Sequence, residues 1–510
     1  MKNRTVFIQK KIYYITLLLF VMTTVAGWFG VTGANTSIRI NKVSTEQEIT
    51  GWGTSACWWS QIAGKSKNAD EFAKLLYSKE GLGLNVYRYN VGGGEKQNPD
   101  YRIHGDNYDW RATESFLVYN NQKGDYEYDW SQDAAAQNML DKCLGYGCID
   151  TVVLFANSPH FSMTVSGNAT GGHSPAQSNL KKECYDDYAE YFLDITEYFL
   201  DKGVPVKYIS PINEPQWDWG GDWVGQEGCH YEIDEVIELA KVFAKEIKER
   251  KLDVKLSMAE SGQVGDHAMD CIEKLYADEE IASVMGTYAY HSYWTDKNFT
   301  LKQAFGDYLE KQYPAVEVEM SEWCELPNEH KIDDIEAGLL MARTISEDIS
   351  LTGVNSWTSW VAVNDGLENA DSMIGANHDC SEYVVGKRYY AMAHYTKFVP
   401  VGSRVVDVDL TIGDVKAEKA WWKQEIDGIE YPVYLVENFI NATCFKTPEG
   451  KYVLVIVNEG AEKNIGFNML THKMSVYTTD KNNNLENTYN GKGYEKITIG
   501  ENSITTVVFD

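Results

Sequence analysis

The chain has 510 residues, 44% apolar and 24% charged, with ordinary counts of glycine (41) and proline (11). That length fits roughly two to four domains, or one α/β barrel of about 250 residues or more with smaller companions, and the composition excludes collagen-like and low-complexity classes. The 46 basic against 75 acidic residues give a net charge of −29, a field that repels nucleic acid and anionic membranes and so excludes nucleic-acid binding.

At the start of the chain Lys2, Arg4, Lys10 and Lys11 precede an apolar run over 12–31, followed by Thr32-Gly33-Ala34. Residues 1–34 read as a signal peptide, with an uncleaved N-terminal anchor as the alternative because the run is long. No cysteine follows the run as a lipoprotein would need, and no later stretch is apolar enough to span a bilayer. The expectation is a secreted monomer, or one held at the cell surface through this segment alone. The nine cysteines show no Cys-x-x-Cys pair, so no zinc site is called for, and neither is any other metal or cofactor. Cys143 and Cys148 flank a Gly-Tyr-Gly turn and admit a local bridge; free buried thiols are the other reading.

Residues 35–50 hold a strand pattern over 37–46. From 51 to 398 short β-rich runs alternate with amphipathic helical stretches. The strand candidates are 51–59, 84–91, 151–158, 206–213, 254–260, 286–294, 315–321 and 354–361; the helical candidates include 69–78, 134–144, 181–200, 232–248, 267–276 and 332–350. Eight such units predict a closed (β/α)8 TIM barrel, with an added helix over 386–398. A doubly wound sheet is the runner-up, but no Gly-rich phosphate turn follows the first strand. From 399 to 510 short alternating runs (404–410, 434–439, 451–458, 473–479 and 503–509) separated by Asn/Gly turns predict an all-β unit, which the 37–46 strand can join.

In such a barrel the chemistry sits at the C-terminal ends of the strands. The fourth ends Asn213-Glu214-Pro215 and the seventh ends Met320-Ser321-Glu322-Trp323. Two carboxyls facing one cavity suit retaining glycoside hydrolysis, one protonating the leaving oxygen and the other attacking the anomeric carbon. Asn213 beside the acid can bond a sugar 2-OH. Glu260 also ends a strand and is the rival for a supporting role, while Glu317 and Glu319 alternate with Val318 and Met320 and point elsewhere.

These motifs resemble glycoside hydrolase family 30. Gly51-Trp52-Gly53-Thr54-Ser55 is similar to its opening strand, and Lys397-Phe398-Val399-Pro400-Val401-Gly402-Ser403-Arg404 to its entry into a side β-sandwich domain built from both chain ends. The resemblance implies a TIM barrel over 51–398, a side domain over 399–510 joined by strand 35–50, Glu214 as acid/base and Glu322 as nucleophile. It extends to Arg88 on strand two, His291 and Tyr293 on strand six, and Trp360 on strand eight. Arg88 would hold Glu322 ionised; Tyr293 would donate to Glu322, with His291 on the same wall. Trp360 would floor the sugar site, and Asn157 would reach a ring hydroxyl or cap a turn.

The aromatic content is high, at 15 Trp, 33 Tyr and 17 Phe, and rings on an acidic surface suit a neutral polyhydroxy ligand. Trp217, Trp219 and Trp223 follow the acid on one loop, and Trp58 with Trp59 lies on strand one; these indoles are expected to be stacking platforms. Members acting on glucosylceramide carry an acid near the end of strand one, where this chain has Ala56-Cys57-Trp58-Trp59. Together with the Asn90–Gly94 turn and Gln226-Glu227-Gly228-Cys229-His230, this is most similar to the endo-β-1,6-galactanase branch. β-1,6-Glucanase, xylanase and exo-β-glycosidase remain alternatives, as does, from another class, a non-catalytic carbohydrate-binding barrel.

Overall fold

The computed structural model describes residues 36–510 except 106, 297, 370, 412–415, 427, 428, 438, 470, 471, 494 and 495; for 42, 44, 107, 416–426, 429–437 and 439 it describes backbone alone. The candidate signal segment, 1–34, lies outside the described residues.

Eight parallel strands close a barrel. They are β1 (Gly51–Ser55), β2 (Val86–Asn90), β3 (Thr151–Phe155), β4 (Val206–Ser210), β5 (Lys255–Ser261), β6 (Met285–His291), β7 (Val318–Glu322) and β8 (Ser356–Ser359). Each is succeeded by a helix: α1 (Ala69–Tyr77), α2 (Ala134–Leu144), α3 (Tyr185–Asp201), α4 (Ile233–Arg250), α5 (Asp266–Ala277), α6 (Phe299–Gln312), α7 (Ile335–Glu347) and α8 (Lys387–Thr396). Strands β1, β3 and β7 are buried at every residue, as both faces of a helix-covered parallel sheet must be. Helix α1 shows the complementary pattern: Ala69, Phe72, Ala73, Leu76 and Tyr77 are buried on one face, the spacing of an amphipathic helix.

Several strands stop earlier than their sequence pattern. The run 51–59 ends as strand at Ser55; Cys57 and Trp58 lie in a turn that leads into a short helix at Ser60–Ala63. Likewise Tyr293 and Trp294 lie beyond β6, and Trp360 beyond β8. Buried aromatic loop residues look like strand in the sequence because burial, not pairing, sets their composition. Helix α6 and the small sheet of Val363–Asp365, Ile374–Ala376 and Tyr383–Val385 were not anticipated.

The C-terminal region forms a nine-stranded sheet. Its N-terminal member, Thr36–Glu48, pairs antiparallel with Arg404–Thr411 and parallel with Lys463–Phe467. Phe467 and Phe509 lie on strands separated by four others, yet their ring centroids are 5.6 Å apart. Strands about 4.8 Å apart in a flat sheet would hold them more than 20 Å apart, so the sheet curls over and packs on itself like a sandwich. The sequence run 434–439 in fact straddles Ile429–Glu437 and Phe439–Lys446.

Strand Tyr452–Glu459 explains how the two units join. Leu454 and Ile456 point into the core of the curled sheet, whereas Val453, Val455 and Val457 belong to the barrel's core. Alternation thus gives one strand two buried faces. His394 of α8 stitches the seam, bonding Thr506 at 2.8 Å and Thr479 at 2.9 Å. None of the nine cysteines forms a disulfide.

Candidate active site

Strand β4 ends at Ser210, and Ile212-Asn213 lead to Glu214 at the barrel mouth. Glu214 adopts φ +45° and Glu260, at the end of β5, φ +55°, a left-handed conformation that is costly for residues with side chains and is concentrated at functional sites. The Glu214 N–H donates to the Glu260 carbonyl at 3.0 Å, tying the two bends together. Pro215 has no N–H to satisfy at this exit. Glu322 is the last residue of β7.

Between the two carboxylates lies His291, the last residue of β6. Its Nδ1 is 3.0 Å from Glu214 Oε1 and 3.7 Å from Glu322 Oε1, and its Nε2 is 3.0 Å from Glu260 Oε2. Burial opposes a charge on the ring, but the carboxylates of Glu322, Glu214 and Glu260 outweigh it and raise its pKa to about 10. His291 is therefore an imidazolium donating at both nitrogens. One oxygen each of Glu214 and Glu322 and one nitrogen of His291 lie within 4.8 Å of one another. The ring thus links the two carboxylates in one charge network.

Glu322 is held at both oxygens: Arg88 Nη1 donates to Oε2 at 2.7 Å and Tyr293 Oη to Oε1 at 3.1 Å. Its pKa stands above the ordinary carboxylate value: burial raises it most, and His291 first and Arg88 second pull it only part of the way back. Arg88 thus does not keep the nucleophile ionised alone; it is shared with Asn213 Oδ1 at 2.9 Å and Glu260 Oε1 at 3.3 Å. Glu260 is fully buried and also accepts from Ser210 at 2.8 Å and from Ser321. Despite burial, Arg88, His291 and Ser321 depress its pKa to about 2. It is the permanent anion that orients Arg88 and His291. Glu319, one step down β7, is also buried; desolvation and the Glu260 charge raise its pKa to about 7. It lies inside the barrel.

The other sequence-predicted residues divide between open and buried positions. Asn213 Nδ2 donates to Asn157 Oδ1 at 3.2 Å, so one amide proton remains for a sugar. Asn157 is buried within that bond and 3.5 Å contacts to Cys57 and Asn90, a brace for Asn213 and not an open hydroxyl contact. Trp58 is 4% exposed and meets Trp360, 8% exposed, edge to face at 5.1 Å. Arg111 lies over the Trp58 ring at 4.9 Å. Trp59 is wholly buried, its indole bonded to the Ser55 carbonyl. Trp219 is no platform either: it is buried, donates to the Glu214 carbonyl at 2.9 Å, and backs Trp223 at 5.2 Å. Trp223 is exposed and Trp217 half-buried. A Cβ on Gly262 would fall 2.3 Å from Trp217 Nε1 and 2.9 Å from Glu214 Oε1, so the absent side chain makes room for both.

The two glycine-containing motifs prove to be one device. Glu227, fully buried, accepts from the N–H of Gly93 at 2.9 Å and of Glu95 at 3.2 Å, and from Thr113 at 2.7 Å. Burial raises its pKa to about 7 against those donors. The loop after β4 is thereby fastened to the loop after β2.

Comparison with known proteins agrees with this picture. Residues 35–374 match the sequence profile of O-glycosyl hydrolase family 30. An endo-β-1,6-galactanase from Hypocrea rufa is 22% identical over 417 residues, covering 76% of this chain and 79% of that protein. A conserved exported protein from Bacteroides fragilis superposes with a TM-score of 0.75 at 23% identity, covering 92% of this chain and 100% of that one. The catalytic domain of xylanase C from Talaromyces cellulolyticus, of the same family, gives 0.67 at 16% identity over 93% and 100%.

Proposed function

From the premise that the chain belongs to O-glycosyl hydrolase family 30, and so is a glycoside hydrolase acting on carbohydrate, we propose that it cleaves β-1,6-linked galactan internally and with retention. The observation that carries retention is that one carboxylate oxygen of Glu214 lies within 4.8 Å of one of Glu322. Retaining pairs stand about 5–5.5 Å apart, whereas inverting pairs need roughly 6.5–9.5 Å to admit a water. In the first step a Glu322 oxygen bonds the anomeric carbon as the glycosidic bond breaks and Glu214 protonates the departing oxygen. Arg88 and Tyr293 keep the attacking carboxylate aligned. His291 is bonded to one Glu214 oxygen and so fixes the carboxyl that serves as the acid. In the second step Glu214 takes a proton from water, which displaces Glu322 from the sugar.

The choice of galactan is supported by the similarity to the Hypocrea rufa enzyme and by the tryptophan in place of an acid after β1. Each added bond in a 1,6-linkage makes the chain flexible, and a rim of aromatic rings holds such a chain. Action outside the cytoplasm rests on the basic and apolar pattern of residues 1–34. The test is turnover of β-1,6-galactan, β-1,6-glucan and xylan, with product sizes followed in time and the first-formed anomer read by NMR. Oligosaccharides of mixed length from galactan, first released in the β form, are expected. Monosaccharide alone, faster turnover of glucan or xylan, or a first-formed α anomer would each overturn the corresponding part.

A further inference from the structure

The fully buried arginines of the barrel are paired: Arg88 holds Glu322 and Arg388 holds Glu325. Arg111, in the loop after β2, is different. It is half-buried, yet among the described residues no carboxylate stands within ion-pair distance of it. Its hydrogen bond to the protein is a long one, 3.5 Å from Nη1 to the Gly225 carbonyl. Asp371 acts on its charge from farther off and is already taken by the Asn364 amide, at 3.0 and 3.2 Å. Burial pulls the Arg111 pKa down with too little to offset it. A cation kept in such a place is costly unless a ligand supplies its partner.

The fold holds this cation still. It ends a short helix, Asn107–Arg111, whose buried Trp110 donates its indole N–H to the His378 carbonyl at 3.0 Å. Gln61 bonds the Trp110 carbonyl, and His378 meets Asp109 at 3.4 Å. Loops after β1, β2 and β8 thus join at this helix. The guanidinium then lies over the Trp58 ring at 4.9 Å, a favourable cation–π contact. It occupies the indole face that the sequence offers as a stacking platform, so a sugar at this point meets N–H donors and not a ring.

Two thiols place that point beside the nucleophile. Cys57 and Cys324 each lie close enough to both Glu322 and Arg111 to feel their charges. Ring contacts make the same connection: Trp58 meets Trp360 at 5.1 Å, and Trp360 meets Phe155 at 6.3 Å. Arg88 lies 3.5 Å over Phe155 while it donates to Glu322.

We propose that Arg111 is a substrate-binding residue that donates hydrogen bonds to adjacent hydroxyl groups of the sugar captured by Glu322, on the edge of the ring remote from the anomeric carbon. This rests on the hydrolase reading and adds to it a residue that reads hydroxyl positions. The planar fork of a guanidinium suits two neighbouring oxygens. Hydroxyls are favoured over an anionic group because Asp371 and the net charge of −29 both oppose a further anion there.

The experiment couples a change in the enzyme to a change in the sugar. The substrate is the aryl β-glycoside, of a mono- or disaccharide, that the wild type turns over fastest. It is made also with one hydroxyl at a time replaced by hydrogen on the sugar that carries the aryl group. In the wild type at least one deoxygenation remote from the anomeric carbon should lower kcat/KM about tenfold or more, as for a bond from a charged donor. In Arg111→Met, which covers Trp58 without a donor, kcat/KM on the parent glycoside should fall by a similar factor. The same deoxygenation should then cost less than about threefold, because the two changes remove one interaction. Each cost is a ratio within one variant, so a smaller folded fraction cancels from it. Arg111→Lys, which keeps the charge, gives the same comparison if Arg111→Met is too slow to measure. Deoxygenation costs equal to those of the wild type at every position would overturn the proposal. A wild type that prefers a glucoside or xyloside would defeat the galactan reading and leave this comparison decisive on that sugar.

Discussion

His291 is a cation enclosed by three carboxylates, and its charge sets how the nucleophile ionises. Because it is the largest influence lowering the Glu322 carboxyl, replacing it with Asn leaves burial and the other carboxylates to raise that group. Glu322 must be ionised to attack, so the acid limb of kcat/KM on an aryl glycoside should move to higher pH and the maximal rate fall by about 10²-fold or more. An unmoved acid limb would remove His291 from this role. Gly262→Ala tests the other carboxylate: the new methyl would press on Trp217 and Glu214. The expected result is a kcat/KM loss of at least about tenfold with little change in Tm, because half-buried Trp217 can yield where a core residue cannot. Glu214, Glu322, Arg88 and Tyr293 were legible in the sequence because each lies at or near a strand end within a recognisable motif. The pairing of Asn213 with Asn157, the burial of Trp219 and the stacking of Arg111 on Trp58 were not. Sequence shows which residues arrive at the mouth, whereas depth and mutual hydrogen bonding depend on loops packed from distant segments.

Loops and strands hold the mouth open by contacts of the same long range. Glu227 satisfies two backbone N–H groups and a hydroxyl of the loop after β2. In Glu227→Ala all three donors are left buried without their acceptor, at about 1–3 kcal/mol for each unsatisfied group. A fall in Tm of several degrees and earlier proteolysis within 91–98 are expected by calorimetry and limited digestion; a variant as stable as the wild type would contradict the anchor. The quoted motifs around Gly93 and Glu227 were visible, but their contact was not, since 134 residues separate the partners. The alternation of strand and helix was legible for the opposite reason: each βα unit buries its own apolar stripe locally. Strand ends were overrun where loop residues such as Trp58 and Trp360 are buried as deeply as the strands. Helix α6 was hidden because polar residues interrupt its apolar face, with buried Lys302 paired to Asp348 at 2.7 Å.

The molecule as a whole carries buried charges that make its stability a function of pH. Burial raises Asp133, Glu227 and Glu319 to about 7 in the folded chain, against about 4 when unfolded. The folded state thus holds their protons more tightly, and stability is lost as pH rises from about 4 through 7. His291 adds in the same sense: its raised pKa gives a contribution complete below about 6.5 and lost as pH climbs through about 10. Glu260 acts in the other direction. With a pKa depressed to about 2, its contribution is present above about 4.5 and lost as pH falls through 2. The net charge of −29 adds self-repulsion that grows as carboxylates ionise. Buried His160 and His394 act with Glu260: desolvation lowers both to about 3, so their contributions are present above about 6.5 and lost as pH falls towards 3. The opposed sets should make thermal stability nearly level from about pH 5 to 6.5 and lower on either side. Calorimetry from pH 4 to 9 should show Tm falling by several degrees between about 6.5 and 8. A Tm that rises over that interval would mean these carboxyls are solvated or paired more strongly than their burial implies.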